Sequence, residues 1–217
     1  MNIIVGGTHG LGQEIAAELR RRGQETFVVG RSYDETMHGP GLKADLSRDS
    51  GTEALLKCIE QHNFDGFYWV AGYGYKGDFA EQPDPHKMIE VNLGNVLPVA
   101  QAAWKKLLSS PNTDTHFVVI SSMTGLKPRP DEAVYAATKH AQVGFTRSLG
   151  LESERLKAPI KVALFLPGGM HTPFWEGKEP AHFSSFLDPH KVAKKIIADV
   201  LAQRESFHEA TIERGSL

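Results

Sequence analysis

The stretch that decides the fold is Val5-Gly6-Gly7-Thr8-His9-Gly10-Leu11-Gly12, which follows Met1-Asn2-Ile3-Ile4 and leads into Gln13-Glu14-Ile15-Ala16. A short apolar run such as Ile3–Gly6 reads as a buried strand. Leu11, Ile15, Ala16 and Leu19 then recur at helical spacing from Gly10 to Arg22, and Gly23 stops the helix. Between the two, Gly6, Gly10 and Gly12 permit a tight turn and a close approach of the backbone. The first amides of the helix and its positive dipole end are left free to face the oxygens of a pyrophosphate. Glycine-rich turns are common ahead of helices, so it is the position at the very first strand-to-helix junction that gives this one weight.

The same alternation continues along the chain. Apolar runs at Thr26–Gly30, Gly66–Ala71, His116–Ser121 and Lys161–Leu166, with weaker ones near Leu42 and Thr211, predict further strands. Helical patterns fill the gaps over Gly51–His62, Pro85–Leu108, Ala133–Leu156 and Pro189–Arg204. Runs such as Phe117-Val118-Val119-Ile120 are apolar throughout, as strands covered on both faces must be. The expected architecture is therefore α/β: a single Rossmann-type domain over residues 1–217, a doubly wound parallel sheet of about seven strands with helices on both faces. Two segments break the rhythm. Between Arg31 and Asp45 the chain is short and rich in Gly and Pro, which predicts a loop in place of a helix. Between Met170 and Leu187 it is irregular and carries Pro173, Phe174, Trp175, Gly177, Pro180, Phe183 and Phe186. A loop of that length in a compact domain is usually functional, and a substrate lid is expected at 170–187.

Composition narrows the classes. The 217 residues suffice for one sizeable core, and 41% hydrophobic with 23% charged residues is ordinary for a globular chain. A net charge of −2 offers no basic surface for nucleic acid. No apolar run is long enough to span a membrane, and the N-terminus opens on a strand pattern without a signal sequence. The ten histidines fall in no metal-ligand spacing; His208-Glu209, for example, has no second histidine four residues after the first, so no metal is expected. Cys58, the only cysteine, cannot form an intramolecular disulfide and fits a reducing, cytoplasmic address as a small buried helix residue.

Two further groups carry chemistry. Tyr135 and Lys139 are four residues apart in a helical segment, so phenol and ammonium share a face. A free phenol titrates near 10. A neighbouring cation would pull it towards working pH, as an acid–base group requires. Ser122 stands where the strand His116–Ser121 ends, at the carboxyl edge where ligands of parallel sheets bind. A plain amphipathic helix and a local turn hydroxyl would account for the same residues taken singly.

Together, VGGTHGLG, Asn92 in VNLGN, Ser122, Tyr135-x3-Lys139 and Pro167-Gly168-Gly169-Met170-His171-Thr172 resemble the short-chain dehydrogenase/reductase family, in order and spacing, over nearly the whole chain. The resemblance implies an NAD(P)-dependent oxidoreductase that moves a hydride between nicotinamide and a carbonyl compound or secondary alcohol. Tyr135 would transfer the proton, and Lys139 would lower its pKa and bind the nicotinamide ribose. Ser122 would orient the carbonyl, and Asn92 would hold a water relaying protons to Lys139. Cofactor contacts would come from Gly6, Thr8, His9, Gly10, Leu11 and Gly12 in the turn, from Ala71 and Gly72 after the fourth strand, and from Pro167, Gly168 and Thr172. Asp45 resembles the residue that contacts adenine. A homodimer or homotetramer is implied as well, through the helices Pro85–Leu108 and Ala133–Leu156, which include Val96, Val99, Ala102, Ala103, Ala141, Val143 and Phe145. The sequence departs from the family where Val5 precedes the first glycine and where Trp69-Val70-Ala71-Gly72 replaces an Asn-Asn-Ala-Gly run.

NADP is favoured over NAD. The end of the second strand is Gly30, with no carboxylate to hold a ribose 2′-hydroxyl, and Arg31 follows with a guanidinium suited to a 2′-phosphate. Ser32 and His9 are placed to add donors, and Gly30→Asp is expected to move preference towards NAD. Tyr73, Tyr75, Phe174, Trp175, Phe183 and Phe186 suggest an apolar or aromatic small-molecule substrate, or else a lid packed on the core. A nicotinamide-binding regulator that has lost the chemistry is the alternative reading.

Overall fold

In the computed structural model, which describes residues 1–175, 179–180 and 182–215, the apolar runs become seven strands. These are β1 (Asn2–Val5), β2 (Thr26–Gly30), β3 (Gly41–Lys43), β4 (Gly66–Trp69), β5 (Thr115–Ile120), β6 (Ile160–Pro167) and β7 (Phe207–Ile212). All pair in parallel in one sheet of order β3-β2-β1-β4-β5-β6-β7. The helices are α1 (Gly10–Arg21), α2 (Glu35–His38), α3 (Asp49–Gln61), α4 (Pro85–Ile89), α5 (Leu97–Leu108), α6 (Ala133–Leu156) and α7 (Pro189–Ala202). This is the Rossmann-type α/β arrangement expected from the alternation. Among the described residues no helix is long and apolar enough to cross a membrane.

Side-chain alternation along each strand sends residues to two cores. Ile3, Val5, Phe67, Trp69, Phe117, Val119, Val162 and Leu164 pack under α3, α5 and α6. Ile4, Val28, Tyr68, Val118, Ile120, Ala163 and Phe165 pack under α1 and α7. Because both faces are covered, the strands carry no polar alternation. The direction of the strand order reverses between β1 and β4, and at such a switch the loops leave on opposite faces and open a crevice.

Two expectations are corrected. The segment after Arg31 is not wholly a loop: Asp34 accepts from the Thr36 and Met37 amides and caps the single turn α2. Pro85–Leu108 is not one helix. After α4 the chain forms a π-helical turn, Glu90–Gly94, where the Asn95 amide reaches back to the Glu90 carbonyl at 2.9 Å. Pro98, without an N–H, sits in the first turn of α5. The break displaces Asn92 inward, where it is fully buried. Val96, Val99, Ala103 and Val143 face the core, and the large apolar groups exposed on these segments are Ile89, Leu108, Leu151 and Leu156.

At the centre of the sheet, β1 and β4 end against each other. The Val5 carbonyl accepts from both the Val70 amide at 2.9 Å and the Ala71 amide at 2.7 Å. Trp69 is fully buried, edge-on to Phe145 at 5.9 Å, with its indole N–H unpartnered. The Trp69-Val70 departure thus adds apolar packing where the family resemblance would place amides. Next to this junction Gly6 has φ +90°, and a Cβ on it would lie 2.5 Å from the Ala71 backbone. A Cβ on Gly12 would collide with the Gly6 carbonyl oxygen. Gly12→Ala should therefore cost about 1–3 kcal/mol by urea denaturation. The control Gly144→Ala, whose Cβ meets nothing within 4 Å, should be neutral or stabilising by up to about 1 kcal/mol. Equal stability of the two variants would show that the turn has room to spare.

Candidate active site

A crevice of about 480 Å³ opens at the carboxyl ends of the strands around the β1/β4 switch. Its wall brings together the turn residues Gly6, Thr8, His9, Gly10, Leu11 and Gly12 with Arg31, Asp45, Ala71 and Gly72. It also contains Ser122, Tyr135, Lys139, Pro167, Gly168 and Thr172. Of the candidate catalytic and cofactor residues, Ser32 and Asn92 are not part of it, Ser32 being exposed to one side and Asn92 buried behind the wall. Of the six candidate substrate aromatics, Phe183 and Phe186 also lie outside it.

One half of the crevice is built from backbone. His9 is the N-cap of α1 in extended conformation and its side chain caps nothing, so the first amides of the helix are left without a side-chain cap. Thr172 lies over the same turn, 3.2 Å from where a Cβ on Gly10 would be. Thr8 is buried and its carbonyl is within hydrogen-bond distance of His38 Nε2 at 3.2 Å, which ties the turn to α2. The Thr8 side chain fills the space beside Gly30, where a Cβ would come within 2.5 Å of its hydroxyl. A carboxylate introduced by Gly30→Asp must therefore first displace Thr8. Arg31 is exposed on the wall. Asp45 also lines it, but its carboxylate accepts from the Ser47 amide at 3.0 Å and hydroxyl at 2.8 Å, and these bonds hold its pKa low. The side-chain-free cradle at Gly6 and Gly12, the uncapped α1 amides and the cation beside Gly30 fit a nicotinamide dinucleotide.

The other half carries the titratable groups, placed by α6 and the end of β5. Tyr135 is pushed up to about 12, chiefly by burial. The neighbouring Ser122 hydroxyl and Arg129 pull it down, and Glu132 pushes it further up. Ser122 Oγ accepts from the Thr124 amide at 3.2 Å, which leaves its own hydrogen to donate. Lys139 is 3% exposed and burial brings it down to about 7. Its Nζ lies 5.7 Å from the Tyr135 ring centre and donates to the Ile120 carbonyl at 3.3 Å and to Gln142 Oε1 at 2.9 Å. Two of the Lys139 contacts are thus to protein acceptors, while its side chain still lines the crevice beside the phenol. The phenol stays protonated, the form that can give a proton to a developing alkoxide.

Asn92 is bonded to protein groups. Its side chain accepts from the Tyr73 amide at 2.6 Å and donates to the Tyr73 carbonyl at 2.8 Å and Thr138 Oγ1 at 3.0 Å, so it staples the loop after β4 to α6. Sequence reasoning missed Gln142, fully buried one turn after Lys139, and the buried Glu132, which accepts from Thr124 Oγ1 at 3.0 Å. A polar residue on the inward stripe of α6 was the available signal for Gln142. Over the outer end lie the aromatics of the 170–187 stretch. The Phe174 ring stands 5.8 Å from Tyr135 and covers Gly74, while Met170 bridges to Leu187 at the base. Residues 176–178, including Gly177, and residue 181 lie outside the described residues.

A buried lysine is a stability cost. Between pH 10.5, its ordinary value, and about 7 the unfolded chain holds a proton that the folded chain has lost. Stability therefore falls as pH drops through that window and levels off below it, an effect of about 5 kcal/mol before compensation. Lys139→Met removes the cost but leaves Gln142 Oε1 unpaired. It should be more stable than the parent by about 2 kcal/mol at pH 7, or roughly 4–8 °C in Tm, and that advantage should shrink towards pH 10. Calorimetry showing a less stable variant at pH 7, or a pH-independent gain, would refute this.

Comparison with known proteins agrees with this geometry. The sequence profile for short chain dehydrogenase matches residues 1–182. An uncharacterized oxidoreductase of Staphylococcus epidermidis is 29% identical over 213 residues, covering 92% of this chain and 87% of that protein. Among solved structures, a variant of actinorhodin polyketide ketoreductase with NADPH superposes with a TM-score of 0.83 at 25% identity, over 99% of this chain and 95% of that one. A 3-ketoacyl-(acyl-carrier-protein) reductase from Brucella melitensis complexed with NADH shares the fold, with a TM-score of 0.82 at 20% identity over 99% and 96% of the two chains. With a match over most of its length and a glycine-lined crevice beside a Tyr-Lys pair, this chain belongs to the short chain dehydrogenase family of oxidoreductases.

Proposed function

We propose that the protein is an NADP-dependent carbonyl reductase or alcohol dehydrogenase acting on a small ketone, aldehyde or secondary alcohol, with Tyr135 as its acid–base group. The observation that carries this reading is the convergence of Ser122, Tyr135 and Lys139 on the crevice that also holds the glycine turn. When bound, the nicotinamide cofactor supplies or accepts the hydride at the substrate carbon.

Each remaining step falls to side chains of this chain. The Ser122 hydroxyl donates to the carbonyl oxygen and fixes its position. The Tyr135 phenol, protonated at neutral pH, gives its proton to that oxygen as it becomes an alkoxide, which favours the reductive direction. Lys139 binds the nicotinamide ribose hydroxyls through the N–H left over from its two internal bonds. Thr172 and the backbone of Pro167 and Gly168 hold the nicotinamide end. Phe174 and Trp175 exclude water, and residues 170–187 serve as the lid of a single domain.

The preference for NADP rests on Arg31 and Thr8. Arg31 presents a guanidinium beside a strand end without a carboxylate, and Thr8 occupies the space that an NAD-selecting acid at position 30 would need. The ketoreductase at 25% identity is described with NADPH, in line with this choice. Assembly as a homodimer or homotetramer is part of the reading. Leu151, 69% exposed on α6, and the exposed Leu156 at the end of the same helix offer apolar surface for a second copy. Cys58, buried and free with its thiol pushed up to about 11, suits a reducing cytoplasm.

Tyr135→Phe should keep cofactor binding and lose roughly 10²–10⁴ in kcat, measured by NADPH oxidation over a panel of ketones and aldehydes. Near-full turnover would remove Tyr135 from its role. Arg31→Ala should weaken NADPH by about ten- to a hundredfold in fluorescence titration and leave NADH nearly unchanged. If the parent protein binds NADH as tightly as NADPH, the assignment of Arg31 fails.

A further inference from the structure

Among the described residues Lys139 Nζ meets no carboxylate. The groups that face it are the Tyr135 ring on its own helix, the Ile120 carbonyl at the end of β5, Gly72 after β4, and the Gln142 amide one turn further along α6. Glu132 and Arg129 act on Tyr135, not on this ammonium. Burial without a counter-charge makes every hydrogen bond to Nζ matter.

Gln142 is fully buried and its amide has one consistent orientation. Nε2 donates to the Asn92 carbonyl at 2.8 Å, so Oε1 is turned to Lys139 Nζ at 2.9 Å. Flipping the amide would set an NH₂ against an ammonium and an oxygen against a carbonyl, losing both bonds. The Asn92 carbonyl is available because of the π-helical turn. The Val96 amide, which an α-helix would send to it, goes to the Leu93 carbonyl at 3.1 Å. The break in the helix, the buried glutamine and the lysine form one connected unit.

We propose that Gln142 is a positioning residue for Lys139, bridging Nζ to the Asn92 carbonyl through its side-chain amide and so doing in this chain what the family resemblance assigns to a water. The bridge fixes the lysine chain, engages one of its three N–H groups, and leaves one directed at the crevice once Ile120 has taken another. It also favours the ammonium over the amine, because Oε1 can only accept. Unlike a water, an amide held at both ends passes no proton along, so Lys139 exchanges protons through the crevice and not through Asn92. The proposal rests on Lys139 serving the reaction as read above, yet its first test needs no activity.

The test uses the cofactor-free protein labelled with ε-¹³C lysine, in which the Lys139 signal is followed against pH by NMR. Gln142→Leu should lower the Lys139 midpoint by about one pH unit, and Gln142→Glu should raise it by at least as much. In the unmodified protein, the Gln142 side-chain amide signals should shift with the same midpoint as Lys139, and Lys139→Met should abolish that shift. This second readout stands even if a Gln142 variant fails to fold. Kinetically, Gln142→Leu should raise the cofactor KM by about tenfold and change kcat less. A Lys139 midpoint unmoved in both variants, or Gln142 amide signals that ignore Lys139, would overturn the proposal. Those outcomes are separate from loss of the Tyr135 role, which the Tyr135→Phe rates decide.

Discussion

Everything at the site depends on how closely β1 and β4 end against each other. The Val5 carbonyl is shared by the amides of Val70 and Ala71, and Gly6 turns away with positive φ at a distance that admits no side chain. That contact sets the origin of α1, since Gly12 must in turn clear the Gly6 carbonyl oxygen. It also marks the point where the strand order reverses, so the crevice and the open helix end coincide. The apolar Trp69 and Val70 support this junction from the two cores, in place of amide bonds.

The opposite wall depends on a second constraint, a cation inside the protein. Among the described residues Lys139 has no anionic partner, and the Ile120 carbonyl and the Gln142 amide support it. The arrangement is costly to stability, as groups held ready for binding often are. Burial raises the neighbouring Tyr135 as well, so a protonated phenol stands beside a lysine whose ammonium depends on its hydrogen-bond acceptors. The π-helical turn at Glu90–Gly94 belongs to this unit, because it delivers Asn92 with its side chain to Tyr73 and its carbonyl to Gln142.

Much of this was legible in the residues. Strand positions followed from apolar runs because a strand covered on both faces has no room for polar alternation, and seven appear where about seven were expected. The glycine turn was readable because few other residues tolerate its backbone. What misled was local inference about interactions made at long range. Pro85–Leu108 has helical periodicity throughout, yet Asn92 finds better partners in Tyr73 and Thr138 than a continuous helix would offer. Tyr135 and Lys139 do share a helix face, but the lysine's bonding partners come from β5 and from one turn beyond.

The sequence by itself determined the order of strands and helices, the backbone freedom at the turn, and which residues could carry charge or a proton. Those are local properties, set by side-chain shape and spacing along one chain. The tertiary structure alone decided what each group faces. Thr8 closes the space beside Gly30, one oxygen of Asp45 is taken by Ser47, and burial moves Tyr135 and Lys139 away from their ordinary values. Desolvation and hydrogen-bond partners come from segments far apart in sequence, brought together only when both faces of the sheet are covered.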